Sequence, residues 1–378
     1  MSVETTRPAI SPDIVRQHLE KAAQGLAACR ADGLFVFRNT NILALCGVPL
    51  GPSDRLVCGL VNADQRVAFV VPAFEAAIAD NLPEGGEVFA WEEHQDPFRT
   101  VAAAAQWLGI AEGRILIDRY TWIETLEALK RSLPRATLKL DRGLIERIRL
   151  IKTSEELEAV RAACHDTGQI YPLISRLLRS GITELDLYHE VHHHLTRGGL
   201  TPDCILIQGG DSAAIPHQAA GPRLLQMGDA VIVDYVGVRE SYHGDMTRTF
   251  ALGQPAEDVI QAYAVVRNAQ KAARLAVQPG ATCDSIDRAA RAVIETAGLG
   301  EYFVHRLGHG IGLDGHEPPY LVAGNPQRLE PGMCVTIEPG VYVPGRFGIR
   351  IEDTIAVTPD GCVVLSDTIP TDVSEVFG

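Results

Sequence analysis

Five residues of this chain have types and spacing that suit metal chemistry: Asp234 and Asp245, then His309, then Glu338 and Glu352. Each carboxylate pair brackets a stretch that reads as a β-hairpin. In AVIVDYVGVRESYHGDMTRTF, an apolar strand carries Asp234 up to Arg239-Glu240, and a second strand returns through Asp245. A two-residue turn there predicts Asp234 directly opposite Asp245. In CVTIEPGVYVPGRFGIRIEDTIAV, a turn centred on Gly345 predicts Glu338 directly opposite Glu352. Opposed residues hold their Cβ atoms roughly 4.5–5.5 Å apart, and like charges so placed repel. The acids follow apolar runs, Val231-Ile232-Val233 and Val335-Thr336-Ile337, so a solvated strand face does not account for them. Two metal ions about 3.5–4 Å apart would offset the repulsion, hold a hydroxide near neutral pH and polarise a carbonyl oxygen. Oxygen ligands with one imidazole suit Mn²⁺, Zn²⁺, Co²⁺ or Fe²⁺. Thr247, two residues after Asp245, shares its strand face and is expected to bond that carboxylate. Thr336 stands in the same relation to Glu338.

The elements that must position these residues come in two similar sets. Gly228 precedes Asp234 by six residues, and Gly332 precedes Glu338 by six. Upstream of the first hairpin, TSEELEAVRAACHDTGQIYPLISRLLR and TELDLYHEVHHHLTR read as helices. Upstream of the second, AEDVIQAYAVVRNAQKAARLAV and CDSIDRAARAVIETA do the same. The order helix–helix–hairpin thus recurs at the 104-residue offset from Asp234 to Glu338. That period is too long for a solenoid, and it predicts one α+β domain built by internal duplication, with the metal site where its halves meet. Before it, residues 1–140 alternate strand-like runs (DGLFVFR, RLVCGLV, RVAFVVP, EVFAWE, RILID) with helical ones, an α/β domain with its own sheet. Thr153 with Glu156 makes a capping box for the helix that follows. Domains of 1–147 and 148–378 are expected.

The bulk numbers narrow the function. A length of 378 residues allows two domains with substantial cores. A net charge of −14 disfavours nucleic acid, because no basic stripe could neutralise phosphates. No apolar stretch approaches the ~20 residues that span a bilayer, and MSVETTRPAISPDIV lacks the apolar core of a signal peptide. Eight cysteines without CxxC spacing read as reduced thiols of a cytoplasmic protein. Gly310-Ile311-Gly312-Leu313-Asp314-Gly315 fits GxGxxG, but it runs into Pro318-Pro319 where a dinucleotide site needs a helix. Its glycines are expected to let backbone pass near the metals. His189, His192 and His193 share a helix face that reads as solvated.

Three blocks carry a family resemblance: PHQAAGPRLLQMGDAVIVDYVGVRESYHGDMTRTF, HRLGHGIGLDGHEPP and EPGVYVPGRFGIRIEDT. They resemble the signature blocks of the pita-bread metallopeptidases that cleave Xaa-Pro bonds, the prolidases and aminopeptidases P. Residues 150–365 carry the likeness in full. The N-terminal part is similar, through NTNILALCGVP, to the creatinase/prolidase N-terminal domain. The resemblance implies a creatinase/aminopeptidase-like pita-bread catalytic domain in which Asp234, Asp245, His309, Glu338 and Glu352 hold two divalent metals, manganese first, with zinc or cobalt as alternatives. It implies Glu338 as general base toward the water, His217 near the scissile nitrogen and His316 on the carbonyl oxygen of the tetrahedral state. It places His305, Tyr342 and Arg350 around the proline pocket.

The implied substrate is a small peptide with proline at its second position. The implied assembly is a homodimer, with no nucleic acid or membrane partner. One departure stands out. Many prolidases carry an arginine fourteen residues before the EPG glutamate to hold a dipeptide's carboxylate. That count falls on Gly324 here, with Arg328 the nearest base. A dipeptidase is favoured, with an aminopeptidase P as the alternative. An amide hydrolase of ectoine or creatine type and a non-catalytic peptide-binding module rank below, because no ligand position has been lost.

Overall fold

The computed structural model describes residues 10–79 and 82–366; most of the N-terminal stretch read for a signal lies outside them. The chain divides into two compact units between Arg149 and Leu150.

In the first unit, Ser11 caps α1 (Pro12–Cys29) by accepting from the Asp13 N–H, with Pro12 pre-set for the first turn. Then follow β1 (Gly33–Val36), α2 (Asn39–Cys46), β2 (Cys58–Asn62), β3 (Val67–Pro72) and β4 (Glu87–Trp91). After α3 (Pro97–Trp107) come β5 (Arg114–Ile117), α4 (Ile123–Ser132), β6 (Thr137–Leu140) and α5 (Leu144–Leu150). The six strands form one mixed sheet in the order β4-β3-β2-β1-β5-β6. Phe35, Leu60, Val70 and Ile115 pack with Val101 and Ala104 of α3 in its core. Among the elements that go beyond those expected from sequence are α2 and β6. In α2, seven of eight residues are buried, so it has no polar face and no amphipathic period to reveal it. In β6, the four residues of an edge strand stay mostly exposed, which leaves little apolar signal.

In the second unit, α6 (Ser154–Gly168) starts with the expected capping box, Thr153 and Glu156 each bonding the other's backbone N–H. The helical stretch predicted to continue from it breaks, and α7 (Tyr171–Leu177) restarts with Pro172 in its first turn. After α8 (Glu184–Arg197), the strands β7 (Thr201–Gly209), β8 (Ala230–Arg239) and β9 (Tyr242–Ala251) form a three-stranded antiparallel sheet. Two helices follow, α9 (Glu257–Ala276) and α10 (Cys283–Thr296). The second strand set is β10 (Gly308–Gly310), β11 (Glu317–Leu321), β12 (Cys334–Ile337), β13 (Gly340–Val343), β14 (Phe347–Arg350), β15 (Asp353–Thr358) and β16 (Gly361–Val364). Five of these make a sheet ordered β11-β10-β12-β15-β16, while β13 and β14 pair as a separate ribbon. Helices, then strands, therefore recur in the two halves, as duplication predicts; β7, β10, β11 and β16 are additions to the strands read from sequence. A continuous apolar core runs from Val259, Tyr263 and Val266 on α9 through Ile286 and Ile294 on α10 to Val335, Ile349 and Ile355 in the strands. Among the described residues, no helix is long and apolar enough to cross a membrane.

Candidate active site

Strands β8 and β9 bring up the first two acids, in a register that differs from the one expected. Asp234 pairs with Thr247, and Asp245 pairs with Val236. The turn residues are Glu240 and Ser241, both with positive φ (46° and 69°), and Arg239 pairs with Tyr242. Two consecutive positive-φ residues are the mark of a primed hairpin turn, which usually advertises itself with Asn or Gly. Here neither is present, so the turn was read one residue early. The error moves the pairing by two positions, which preserves the face. Asp234 and Asp245 stay on one side of the ribbon as diagonal neighbours.

The second pair keeps its predicted count, but the ribbon is split. Ile337 pairs with Asp353 in one sheet and Gly340 with Arg350 in another. Glu338 and Glu352 fall in the gap between the two ladders, where their N–H groups bond elsewhere: Glu338 to the Leu307 carbonyl at 2.9 Å and Glu352 to the Thr247 carbonyl at 3.0 Å. The second bond fastens the two halves of the domain at the site. His309 comes from β10, which lies between β11 and β12. A Cβ at its neighbour Gly308 would run into the Thr336 carbonyl, and one at Gly310 into the carbonyls of Glu317 and Pro318. Close strand packing, rather than closeness to metals, thus accounts for the first glycine of the discounted GxGxxG. The segment after β10 is irregular and contains no helix.

These strands converge on one cluster. Asp234, Asp245 and Glu352 bring ligand atoms within 4.8 Å of one another; so do His309, Glu338 and Glu352, and so do Asp245, His309 and His316. His309 Nε2 lies 3.2 Å from Glu338 and 3.8 Å from Asp245. Its Nδ1 bonds the Gly310 carbonyl at 3.1 Å, so Nδ1 carries a proton and Nε2 is the nitrogen turned toward the acids. Thr336 accepts from the His309 N–H (3.1 Å) and donates to Glu338 (3.4 Å), as expected. Thr247 corrects its expectation: its hydroxyl donates to Glu352 at 2.7 Å, across the domain, rather than to Asp245 on its own strand. The register explains this, since Thr247 stands opposite Asp234 and reaches over to the returning strand.

Burial and mutual repulsion dominate the electrostatics. Burial raises the carboxyl of Asp234, and the neighbouring Arg350 offsets part of the rise. Asp245 and Glu352 stand well above the usual carboxylate range, first from burial and then from the acids around them. Burial also works to raise Glu338, but the hydrogen bond and charge of His309 overrule it and bring it down to about 2. One oxygen of Glu352 is buried without any partner. A buried carboxylate oxygen left without a donor is costly, and a cation would satisfy it.

Around the cluster runs a relay of polar groups. The buried Arg350 donates to Asp234 (2.7 Å), to the Tyr342 hydroxyl (2.8 Å) and to the Pro216 carbonyl (3.4 Å). Tyr342 bonds His305 Nε2 at 2.9 Å. The ring of His316 lies 3.9 Å from that of His309, and burial together with His309 and Arg306 lowers His316 to about 4. His217 is exposed on the loop after β7 and close enough to depress both His305 and His316. Asp234, Asp245, His309, Glu338 and Glu352 thus lie together with His316, Arg350, Tyr342 and His305 around them. His189, His192 and His193 lie exposed on α8, outside any candidate metal group among the described residues. Arg328 is turned to the Gly280 carbonyl.

Sequence reasoning missed three contributors. The side-chain amide of Gln208 donates to the carbonyls of Ile215, Pro216 and Gln218 and so clamps the loop that carries His217. Arg248, wholly buried, pairs with Asp353 and donates to the carbonyls of Thr247 and Glu352. Arg306 touches His316. A charged residue inside the apolar run MTRTF was a usable signal for Arg248; nothing local marked the other two.

A two-half domain of this topology, closing four carboxylates and an imidazole around one point, defines a class of metal-dependent hydrolases. The chain belongs to metallopeptidase family M24, whose pattern matches residues 158–359, and residues 18–151 match the creatinase/prolidase N-terminal domain. Its fold is accordingly an α/β N-terminal domain followed by a pita-bread domain. A probable dipeptidase PepE of Mycobacterium tuberculosis is 35% identical, over 94% of this chain and 95% of its own length. An Xaa-Pro dipeptidase of Lactobacillus helveticus is 32% identical, over 93% and 97%. The crystal structure of dipeptidase PepE from Mycobacterium ulcerans superposes with a TM-score of 0.88 at 32% identity, covering 96% of this chain and 98% of that one.

Proposed function

We propose that this metallopeptidase is an Xaa-Pro dipeptidase that works with two divalent metal ions, manganese first, held by Asp234, Asp245, His309, Glu338 and Glu352 in a catalytic domain of residues 148–378. The observation that carries the metal reading is the buried, mutually repelling cluster with its partnerless Glu352 oxygen. Its oxygen-rich donor set fits hard divalent ions. Bound there, such ions would make water nucleophilic near neutral pH and polarise the scissile carbonyl. The choice of an Xaa-Pro substrate draws support from the similarity to the Lactobacillus enzyme.

The protein groups divide the remaining work. Glu338 takes the proton of the attacking water and passes it on toward the leaving proline nitrogen. His316 stays neutral above about pH 4. Arginine only donates, so the Arg306 contact makes Nδ1 of His316 an acceptor and leaves its proton on Nε2, free to bond the carbonyl oxygen as charge builds there. His217 stands by the scissile nitrogen, and Gln208 holds its loop still. His305, Tyr342 and Arg350 wall the proline subsite. We place the enzyme in the cytoplasm, in keeping with eight unpaired cysteines.

Proline release from Ala-Pro, beside Ala-Pro-Ala, with Mn²⁺ and an Asp245→Ala control, tests this. Cleavage of Ala-Pro, preferred over the tripeptide and lost in the variant, is the expected result. Preference for the tripeptide would make the enzyme an aminopeptidase P. No cleavage of either, with Mn²⁺ bound, would redirect the assignment to a non-peptide amide.

A further inference from the structure

A dipeptide differs from every longer substrate by the free carboxylate on its second residue. Three bonds separate that carboxylate carbon from the scissile carbonyl carbon, so the two lie no more than about 4 Å apart. Any group that reads the carboxylate must therefore stand next to the residues that handle the carbonyl. The arginine position many prolidases use is Gly324 here, and the neighbouring Arg328 is occupied by the Gly280 carbonyl. Arg350 is committed to Asp234 and Tyr342, and Lys152 to Glu317.

Arg306 is different. One guanidinium nitrogen lies 3.4 Å from Nδ1 of His316, and the group lies over the ring of Tyr320, 4.5 Å from its centroid. It is half-buried and has no acidic partner among the described residues. A cation without a counter-ion, in a chain of net charge −14, stands out for that reason. The stack and the histidine contact hold the guanidinium plane in place while most of its five N–H donors remain unused, the arrangement that suits two-point recognition of a carboxylate.

We propose that Arg306 reads the free C-terminal carboxylate of the substrate and so makes the enzyme a dipeptidase. The inference rests on the Xaa-Pro reading above. Its test compares kcat/KM for Ala-Pro and Ala-Pro-amide in the Mn²⁺-loaded enzyme and in Arg306→Gln and Arg306→Lys. Wild type should prefer the acid. Loss of a charge-assisted pair corresponds to roughly ten- to a hundredfold, so the acid/amide ratio should fall by that factor in Arg306→Gln and by less in Arg306→Lys. Inhibition by L-proline should weaken alongside. If Arg306 only orients His316, both substrates will lose rate together and the ratio will stay put, which overturns the proposal while leaving the peptidase reading intact. A wild type that cleaves neither substrate sinks both.

Discussion

Asp245 sits in two of the candidate metal groups and is crowded by like charge. Its carboxyl is buried, faces Asp234 and Glu338, and has only His309 and Arg350 to compensate. Asparagine keeps the shape and removes one of the like charges, each such repulsion being worth about 1 kcal/mol. In EDTA, Asp245→Asn should therefore unfold about 2–4 °C above wild type, the shift that 1 kcal/mol gives in a domain of this size. Mn²⁺ should raise the Tm of wild type and leave the variant where it is, because a ligand stabilises only the state it binds. Differential scanning calorimetry reads both effects. A variant less stable than wild type in EDTA would show that the acids are held by protein contacts alone.

At the scale of elements, the domain is fastened through β9 and the segment joining β14 to β15. Arg248, on β9, is ion-paired with Asp353 and donates to the carbonyl of Glu352, while Gln270 and Ser366 also donate to Asp353. Thr354 donates to the Asp245 carbonyl from the other side, and Thr249 bridges to Arg350. All of these groups are buried, so removing one charge strands the other. Arg248→Leu should cost about 3–5 kcal/mol in urea unfolding. The double variant Arg248→Leu with Asp353→Leu should cost clearly less than the two single losses combined, since neither charge is then left alone. Because Arg248 fixes the backbone at Glu352, the single variant should also weaken Mn²⁺ binding. Simple additivity would mean that the two residues act independently.

For the molecule as a whole, family resemblance suggests a homodimer, and light scattering of the purified protein should give twice the mass of one chain. A single-chain mass would limit every determinant of substrate choice to one chain. The strongly acidic balance sets a further constraint, because a net charge of −14 opposes the approach of a substrate anion, and a cation without an acidic partner lowers that cost locally.

The sequence by itself determined the identities of the five clustered residues, the recurring helix and strand order, the capping box at Thr153 and the face each acid occupies. These are local matters: a strand repeats every two residues, so even a turn placed one residue early leaves Asp234 and Asp245 on one side. Only the tertiary structure decided which residues stand opposite, that the second ribbon opens at Glu338 and Glu352, that Thr247 serves Glu352, and that Arg306 meets His316. Each of those depends on a backbone conformation no residue type announced, as at Glu240-Ser241, or on partners far apart in the chain, as with Thr247 and Glu352. Hydrophobic period gives the direction a side chain points; which neighbour it meets depends on how the two halves pack.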